Sequence, residues 1–259
     1  MNDKYIKTSL ISLLLSATSA NAGSLGPISS PHLFHPMISV FGGINLVKSN
    51  YSQTLSDFDG QIYAYNNQNN HKTTGLVGVF LGEERALPRP GILMQTGIEY
   101  SYLGKVKVNG VHAVGYTPAS STLYTYSQQL QSQQLLAVMK LLTTVKKSYH
   151  PYAALGLGVA INKSGQFNAT TNETGSINLT PRFDNHTHKA LSYNLGLGVD
   201  KTLSEHLRMG LGYRFTDLGK STLGYGQVSV NNFTATSPFT LSTPHTYVNQ
   251  FIAQVSYIA

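Results

Sequence analysis

The chain contains segments in which every second residue is apolar, and that period excludes most folds. From position 92 to 104, Ile92, Met94, Thr96, Ile98, Tyr100 and Tyr102 share one side, while Gln95, Gly97, Glu99 and Ser101 share the other. Successive side chains of an extended strand point to opposite faces, so this segment is a strand with one apolar and one polar side. Positions 152–162 repeat the pattern, with Ala153, Leu155, Leu157, Val159 and Ile161 opposed to Tyr152, Gly156, Gly158 and Asn162. So do 189–200, with Leu191, Tyr193, Leu195, Leu197 and Val199 on one face, and 206–217, with Leu207, Met209, Leu211, Tyr213 and Phe215. Segments 130–144 and 246–259 alternate in the same way. Segments 38–48 and 73–84 read as strands whose faces are ambiguous, because Val77 and Phe80 have opposite parity. Eight strands result, in an all-β chain.

The connections alternate in length. Residues 85–91, 145–151 and 201–205 are short, whereas 49–72, 105–129, 163–188 and 218–245 are long and rich in Asn, Gln, Ser, Thr and Gly. In an up-and-down antiparallel sheet the four long connections fall at one end and the three short ones at the other. Even strand number with short turns at one end and long loops at the other is the layout of a transmembrane barrel. A strand in lipid must pair both edges, so the sheet must close. Composition agrees: 41% of residues are hydrophobic but only 11% charged, against about 25% in soluble domains. The polar faces carry mostly Gly, Ser, Asn and Gln. A soluble eight-stranded barrel or a sandwich would instead turn its apolar face inward and a charged face to water. No apolar run beyond the N-terminus reaches the roughly 20 residues of a membrane helix. The net charge of +7 is scattered singly and marks no nucleic-acid surface. Without Cys, the chain holds no disulfide, zinc-thiolate site or cysteine nucleophile.

The N-terminus supplies the route. Lys4 and Lys7 precede an apolar stretch through Leu10, Ile11, Leu13, Leu14 and Leu15, and Ala20-Asn21-Ala22 closes it. This is the pattern of a secretory signal peptide spanning 1–22, leaving 23–259 as the barrel domain. The repeated Leu155-Gly-Leu-Gly-Val159 and Leu195-Gly-Leu-Gly-Val199, the stretch from Gly212 to Gly219, and Tyr257 near the end resemble the small outer-membrane β-barrels of Gram-negative bacteria, the opacity-protein and outer membrane protein A-like family. That resemblance implies an eight-stranded antiparallel up-and-down barrel in the cell outer membrane with four long external loops. It implies contact with outer-membrane lipid and lipopolysaccharide, and with the barrel-assembly machinery through the last strand. Phe251, Ala253, Val255 and Tyr257 fit the family's terminal pattern, while Ala259 stands where the family usually ends in an aromatic.

The candidate sites follow from the faces. Glu99, Lys140, Asp200, Arg208 and Arg214 lie on the polar, inward side. Charges in a narrow, partly dry lumen must pair, and Glu99 with Lys140 and Asp200 with Arg208 are the expected cross-strand pairs. Pairing Asp200 with Arg208 also sets Gly198 against Gly210 and Tyr193 against Phe215. Eight strands leave an interior that side chains fill, so these charges read as structural, with a narrow pore or small-solute barrel as the alternative. Tyr100, Tyr102, Tyr193, Tyr213 and Phe215 near one end of their strands, and Tyr257 near the other, fit two lipid-facing aromatic girdles. His186, His188 and Asp184 have usable metal spacing but no third strong ligand. Isolated Ser, His and Asp residues show no nucleophile–base signature, so a lipid A-modifying or proteolytic enzyme is disfavoured and no cofactor motif is present. Tyr51, Tyr63, Tyr65, Tyr116, Tyr124 and Tyr126 in the long connections suit either adaptable binding of a host-surface or glycan ligand or packing among themselves.

Overall fold

The computed structural model describes residues 34–56, 60–117, 121–171, 180–230 and 233–259. The expected signal lies outside them. The strands are β1 (Phe34–Ser56), β2 (Ile62–Ala86), β3 (Ile92–Gly115), β4 (Thr122–Thr143), β5 (Tyr149–Thr171), β6 (Arg182–Phe183), β7 (His186–Thr202), β8 (Leu207–Asp217), β9 (Ser221–Val230), β10 (Phe233–Thr243) and β11 (Tyr247–Ile258). Eight of them close a ring in the order β1-β11-β8-β7-β5-β4-β3-β2, and β10-β9-β6 form a separate three-stranded sheet. All ring pairs are antiparallel, and β1 closes on β11 from Met37–Ile258 to Lys48–Tyr247.

The ring is inverted relative to a soluble barrel. Leu211 is 70% exposed, Leu197 63% and Ile98 58%, while Ser101, Gln134 and Gln250 on the inner wall are at most 1% exposed. β1 turns Ile38, Val40, Ile44 and Leu46 outward, and β2 turns Val77 and Leu81 outward. Their ambiguity in sequence has a simple origin: the inner faces of these two strands carry the buried Phe41, Leu76 and Phe80.

Two features differ from the expectation. The β7–β8 hairpin pairs Asp200 with Gly210, Gly198 with Gly212 and Tyr193 with Asp217, two residues from the register in which Asp200 meets Arg208. A shift of two keeps every side chain on its face, so alternation alone cannot detect it. The turn fixes the register: Leu203 N donates to Leu207 O at 2.8 Å, and His206 Nδ1 sits 2.8 Å from Ile258 O.

The long connections are also largely β-structure. β1 to β5 run for 22 to 25 residues, about twice the 9–11 that cross a bilayer. Their upper halves rise beyond the apolar belt as paired extensions. Tyr63, Tyr65, Val114, Tyr124, Tyr126, Phe167, Ala169, Phe183, Leu223 and Leu241 pack there into one buried cluster. Its members alternate along each strand with exposed residues such as Ile62, Leu123, Asn168 and Thr170, giving this region a core that faces inward.

Candidate functional site

The lumen is closed by three ion pairs. Lys140 Nζ donates to Asp200 Oδ2 at 2.6 Å, Arg214 Nη1 to Glu99 Oε1 at 2.5 Å, and the Arg208 guanidinium grips both oxygens of Glu84. These are not the expected partners. Glu99 stands opposite Leu136 and Lys140 opposite Gln95 in the β3–β4 ladder. Cross-strand neighbours pair on a flat sheet, but in a narrow ring a long side chain reaches the axis and meets a residue from a distant strand. Glu84 on β2 joins Arg208 on β8, and Glu99 on β3 joins Arg214 on β8. Glu84 was not anticipated, because the facing of its strand was ambiguous.

Neutral amides satisfy part of what the pairs leave, while Arg214 Nη2 and Asn194 Nδ2 are buried without a hydrogen-bond partner. Gln95 Nε2 donates to Glu84 at 2.7 Å and Gln254 Nε2 to Asp200 at 2.8 Å. Arg214 Nε donates to Gln250 Oε1 at 2.6 Å, and Gln250 Nε2 passes on to Asn45 Oδ1 at 2.9 Å. Lys140 Nζ lies 3.7 Å from the centre of the Tyr152 ring, which fills the space above Gly198 and Gly212. The central cavity left between Phe41, Phe80, Lys140, Tyr152 and Arg214 is about 50 Å³. That is room for a few waters, not for a solute.

A second group sits in the upper cluster. The His112 ring is stacked between Tyr65 at 4.7 Å and Tyr124 at 4.9 Å, and its Nε2 is 3.0 Å from Thr180 Oγ1. Burial pushes His112 down from 6.5 to about 4 and raises the Tyr65 and Tyr126 hydroxyls above the usual tyrosine range. Of the connection tyrosines, Tyr63, Tyr65, Tyr124 and Tyr126 are thus packed together, while Tyr116 is exposed; nothing is described of the Tyr51 side chain.

A third group marks where β8 leaves the wall. Asp217 Oδ1 accepts from Gly219 N at 2.8 Å, and its Oδ2 lies 2.8 Å from His245 Nδ1. Gly219 takes φ of 66°, and a Cβ there would stand 2.5 Å from Leu191 O, so this turn needs glycine. The aspartate therefore ties the exit of β8 to the entry of β11. No sequence pattern linked Asp217 to His245, because the long connection after Asp217 separates them and only the β8–β11 pairing brings them together. Asp184 and His186 are exposed and His188 half-buried; among the described residues no group of three His, Cys, Asp or Glu could hold a metal ion. On the outer wall, Tyr100, Tyr213 and Tyr257 are exposed, and Tyr102, Tyr193 and Phe215 half-exposed.

The family model of the outer membrane protein β-barrel domain matches residues 10–237. The chain belongs to this family. It is an outer-membrane protein, and the apolar belt is the face that lipid covers. Members of the family place short turns in the periplasm and longer connections outside the cell, which makes the upper cluster external. Three solved structures are similar. Neisserial surface protein A is 10% identical, with 85% of this chain and 96% of that chain covered and a TM-score of 0.38. The outer membrane protease OmpT from Escherichia coli is 9% identical, with 93% and 100% covered and a TM-score of 0.41. Ail, the attachment invasion locus protein of Yersinia pestis, is 8% identical, with 86% and 99% covered and a TM-score of 0.34. No curated protein sequence matches.

Proposed function

We propose that this barrel serves surface interaction through a rigid external platform and does not conduct solutes. The lumen carries that reading. Three ion pairs, the Gln and Asn side chains between them and Tyr152 occupy its cross-section around a central cavity of about 50 Å³. A transport path would need to break buried ion pairs, each loss leaving a charge uncompensated at about 3–5 kcal/mol. Above the plug, strands β1 to β5 hold the aromatic cluster on paired backbone, so the external surface is displayed on a scaffold of low conformational entropy. Exposed Tyr116, Tyr225 and Leu123 lie on that region, and such a mix among Ser, Asn and Thr suits a host-surface or glycan ligand. The outward Phe251, Val255 and Tyr257 of β11 support hand-off of this strand to the assembly machinery. For enzymatic chemistry, the Asp217–His245 pair is the nearest approach. Its carboxylate is engaged by the Gly219 turn, and no hydroxyl is hydrogen-bonded to His245 among the described residues.

Planar-bilayer recording of the purified barrel tests the proposal. The expected record is a silent membrane. Discrete openings that disappear on removing the protein would overturn the plugged reading.

A further inference from the structure

The short connections at the periplasmic end carry charge that the lumen does not use. Residues 87–91 join β2 to β3, 144–148 join β4 to β5, and 203–206 join β7 to β8. Backbone bonds lace the three turns together: Thr144 N donates to Gly91 O at 2.7 Å, and Thr202 N to Ser148 O at 2.8 Å. Arg89, between Pro88 and Pro90, is exposed on the first turn, Lys146 and Lys147 on the second, and Lys201 at the foot of β7. None of the four forms an ion pair among the described residues. The acids of this end stand apart from them. Glu83 is paired with Arg85 at 3.7 Å. The exposed Glu205 lies in the remaining arc, where Ile258 N donates to His206 O and Ala259 N to Pro36 O, both at 2.9 Å. The arc from β2 to the foot of β7 is therefore basic.

The second turn holds its lysines against backbone preference. Lys146 has φ of 49° and Lys147 of 60°, the left-handed region that a Cβ disfavours. A hairpin that needs two such residues in succession usually takes Asn-Gly. Both lysines are exposed, so core packing does not account for them, and strain kept at such a position points to function. The turn also stands beyond the membrane boundary. Val145 and Tyr149, 45% and 43% exposed, close it by exchanging hydrogen bonds of 2.7 and 3.0 Å, and an exposed tyrosine there marks the interface. Lys201 is level with Tyr149 in the β5–β7 ladder, its Nζ 5.5 Å from the centre of that ring. Lys146 and Lys147 lie past that level, on the water side.

We infer that Arg89, Lys146 and Lys147 form a docking surface for peptidoglycan, through the free carboxylates of its stem peptides. The partner must be anionic and must lie in the aqueous space that the short turns face. A phospholipid headgroup meets the first condition, but it sits at the level of Tyr149 and Lys201. The tip cations reach beyond it. Arg89 and the two lysines supply charge-assisted hydrogen bonds to carboxylates. One exposed ion pair is weak, but many barrels in one membrane face one polymer, and the contacts add as avidity. Turns that are hydrogen-bonded to one another hold the cations in place, which lowers the entropy lost on docking.

Co-sedimentation of the detergent-solubilised barrel with purified sacculi provides the test. The probes are native sacculi, sacculi whose carboxylates have been amidated, and phosphatidylglycerol vesicles as competitor. Native sacculi are expected to bind and amidated sacculi to bind at least tenfold more weakly. Lys146→Asn/Lys147→Gly removes both charges while giving the turn the residues its backbone prefers. It is expected to weaken binding at least tenfold and to leave thermal stability equal or higher, an outcome that a purely structural role for the lysines would not produce. Arg89→Gln should weaken binding independently, and serves alone if heat-modifiable migration shows the double variant unfolded. Lys107→Gln/Lys163→Gln removes equal charge from exposed positions at the external end and is expected to change nothing. Full binding by the turn variant, equal loss in the external control, equal binding of amidated sacculi, or complete displacement by the vesicles would each overturn the assignment, the last in favour of phospholipid headgroups.

Discussion

At the scale of single residues, the barrel depends on charges buried away from bulk water. Arg214 is held by Glu99 and Gln250 and lies 5.3 Å from the Phe41 ring. Arg214→Met removes the cation but leaves the Glu99 carboxylate buried, and is expected to destabilise the barrel by about 3–5 kcal/mol. Adding Glu99→Leu removes the stranded charge and should restore most of that loss, since a well-packed apolar pair often equals a buried ion pair. Urea unfolding in lipid vesicles reads both variants. A double variant as unstable as the single would show that the two residues act separately. His112 makes a different prediction, set in the external cluster. Its value of about 4 lies below the ordinary 6.5, so the unfolded platform takes up the proton first. The stabilisation is complete above pH 6.5 and is lost as pH falls toward 4. The full effect is about 3 kcal/mol by linkage. Protease sensitivity of the β3–β4 hairpin should therefore rise across that window. His112→Phe keeps the ring between Tyr65 and Tyr124 and is expected to flatten the profile; an unchanged profile would assign the titration to another group.

At the scale of elements, the parity of side chains was legible and their registry was not. Alternation placed Ile98, Leu135, Leu157, Leu197 and Leu211 on the outer wall because lipid imposes one rule on every spanning residue. It could not choose between registers two residues apart, since both satisfy that rule; the Leu203–Leu207 turn decides. It could not name the partners of Glu99, Lys140, Asp200 and Arg208 either, because ring closure sets distances across the lumen and no pair of adjacent strands contains that information. The connections were opaque for another reason. Asn, Gln, Ser and Thr dominate them, and such residues read as loop, yet Tyr63 and Tyr65, Tyr124 and Tyr126, and Phe167 and Ala169 each recur at a spacing of two. That period is the strand signal which turned the same tyrosines into a core. In β1 and β2 the inner wall is itself partly apolar, so contrast between faces, the only cue to orientation, was weak there.

At the scale of the molecule, one set of long strands passes through two solvents, and each solvent imposes its own stability. Within lipid, no strand of the ring can part from its neighbour without exposing unpaired backbone to hydrocarbon. In the platform, water can satisfy any ladder that opens. The β10-β9-β6 sheet is the extreme case. β6 has two residues, and the β9–β10 ladder is interrupted between Thr236 and Thr240 and again between Thr240 and Ser242. The spanning β8 and β11 pair without a break from Tyr247–Asp217 to Tyr257–Leu207. β1 to β5 run through both regions, and the Asp217 turn anchors the base of the β9–β10 connection to the top of the wall. Local opening should then begin above Asp217 and stop there. Hydrogen exchange of the protein in lipid nanodiscs is expected to show the amides of β9 and β10 exchanging well before those of β8 and β11. Asp217→Asn, which keeps the shape but weakens the link to His245, should speed exchange in β9 and β10 further while leaving the spanning amides protected. Simultaneous loss of protection in both regions would mean that platform and wall form a single cooperative unit.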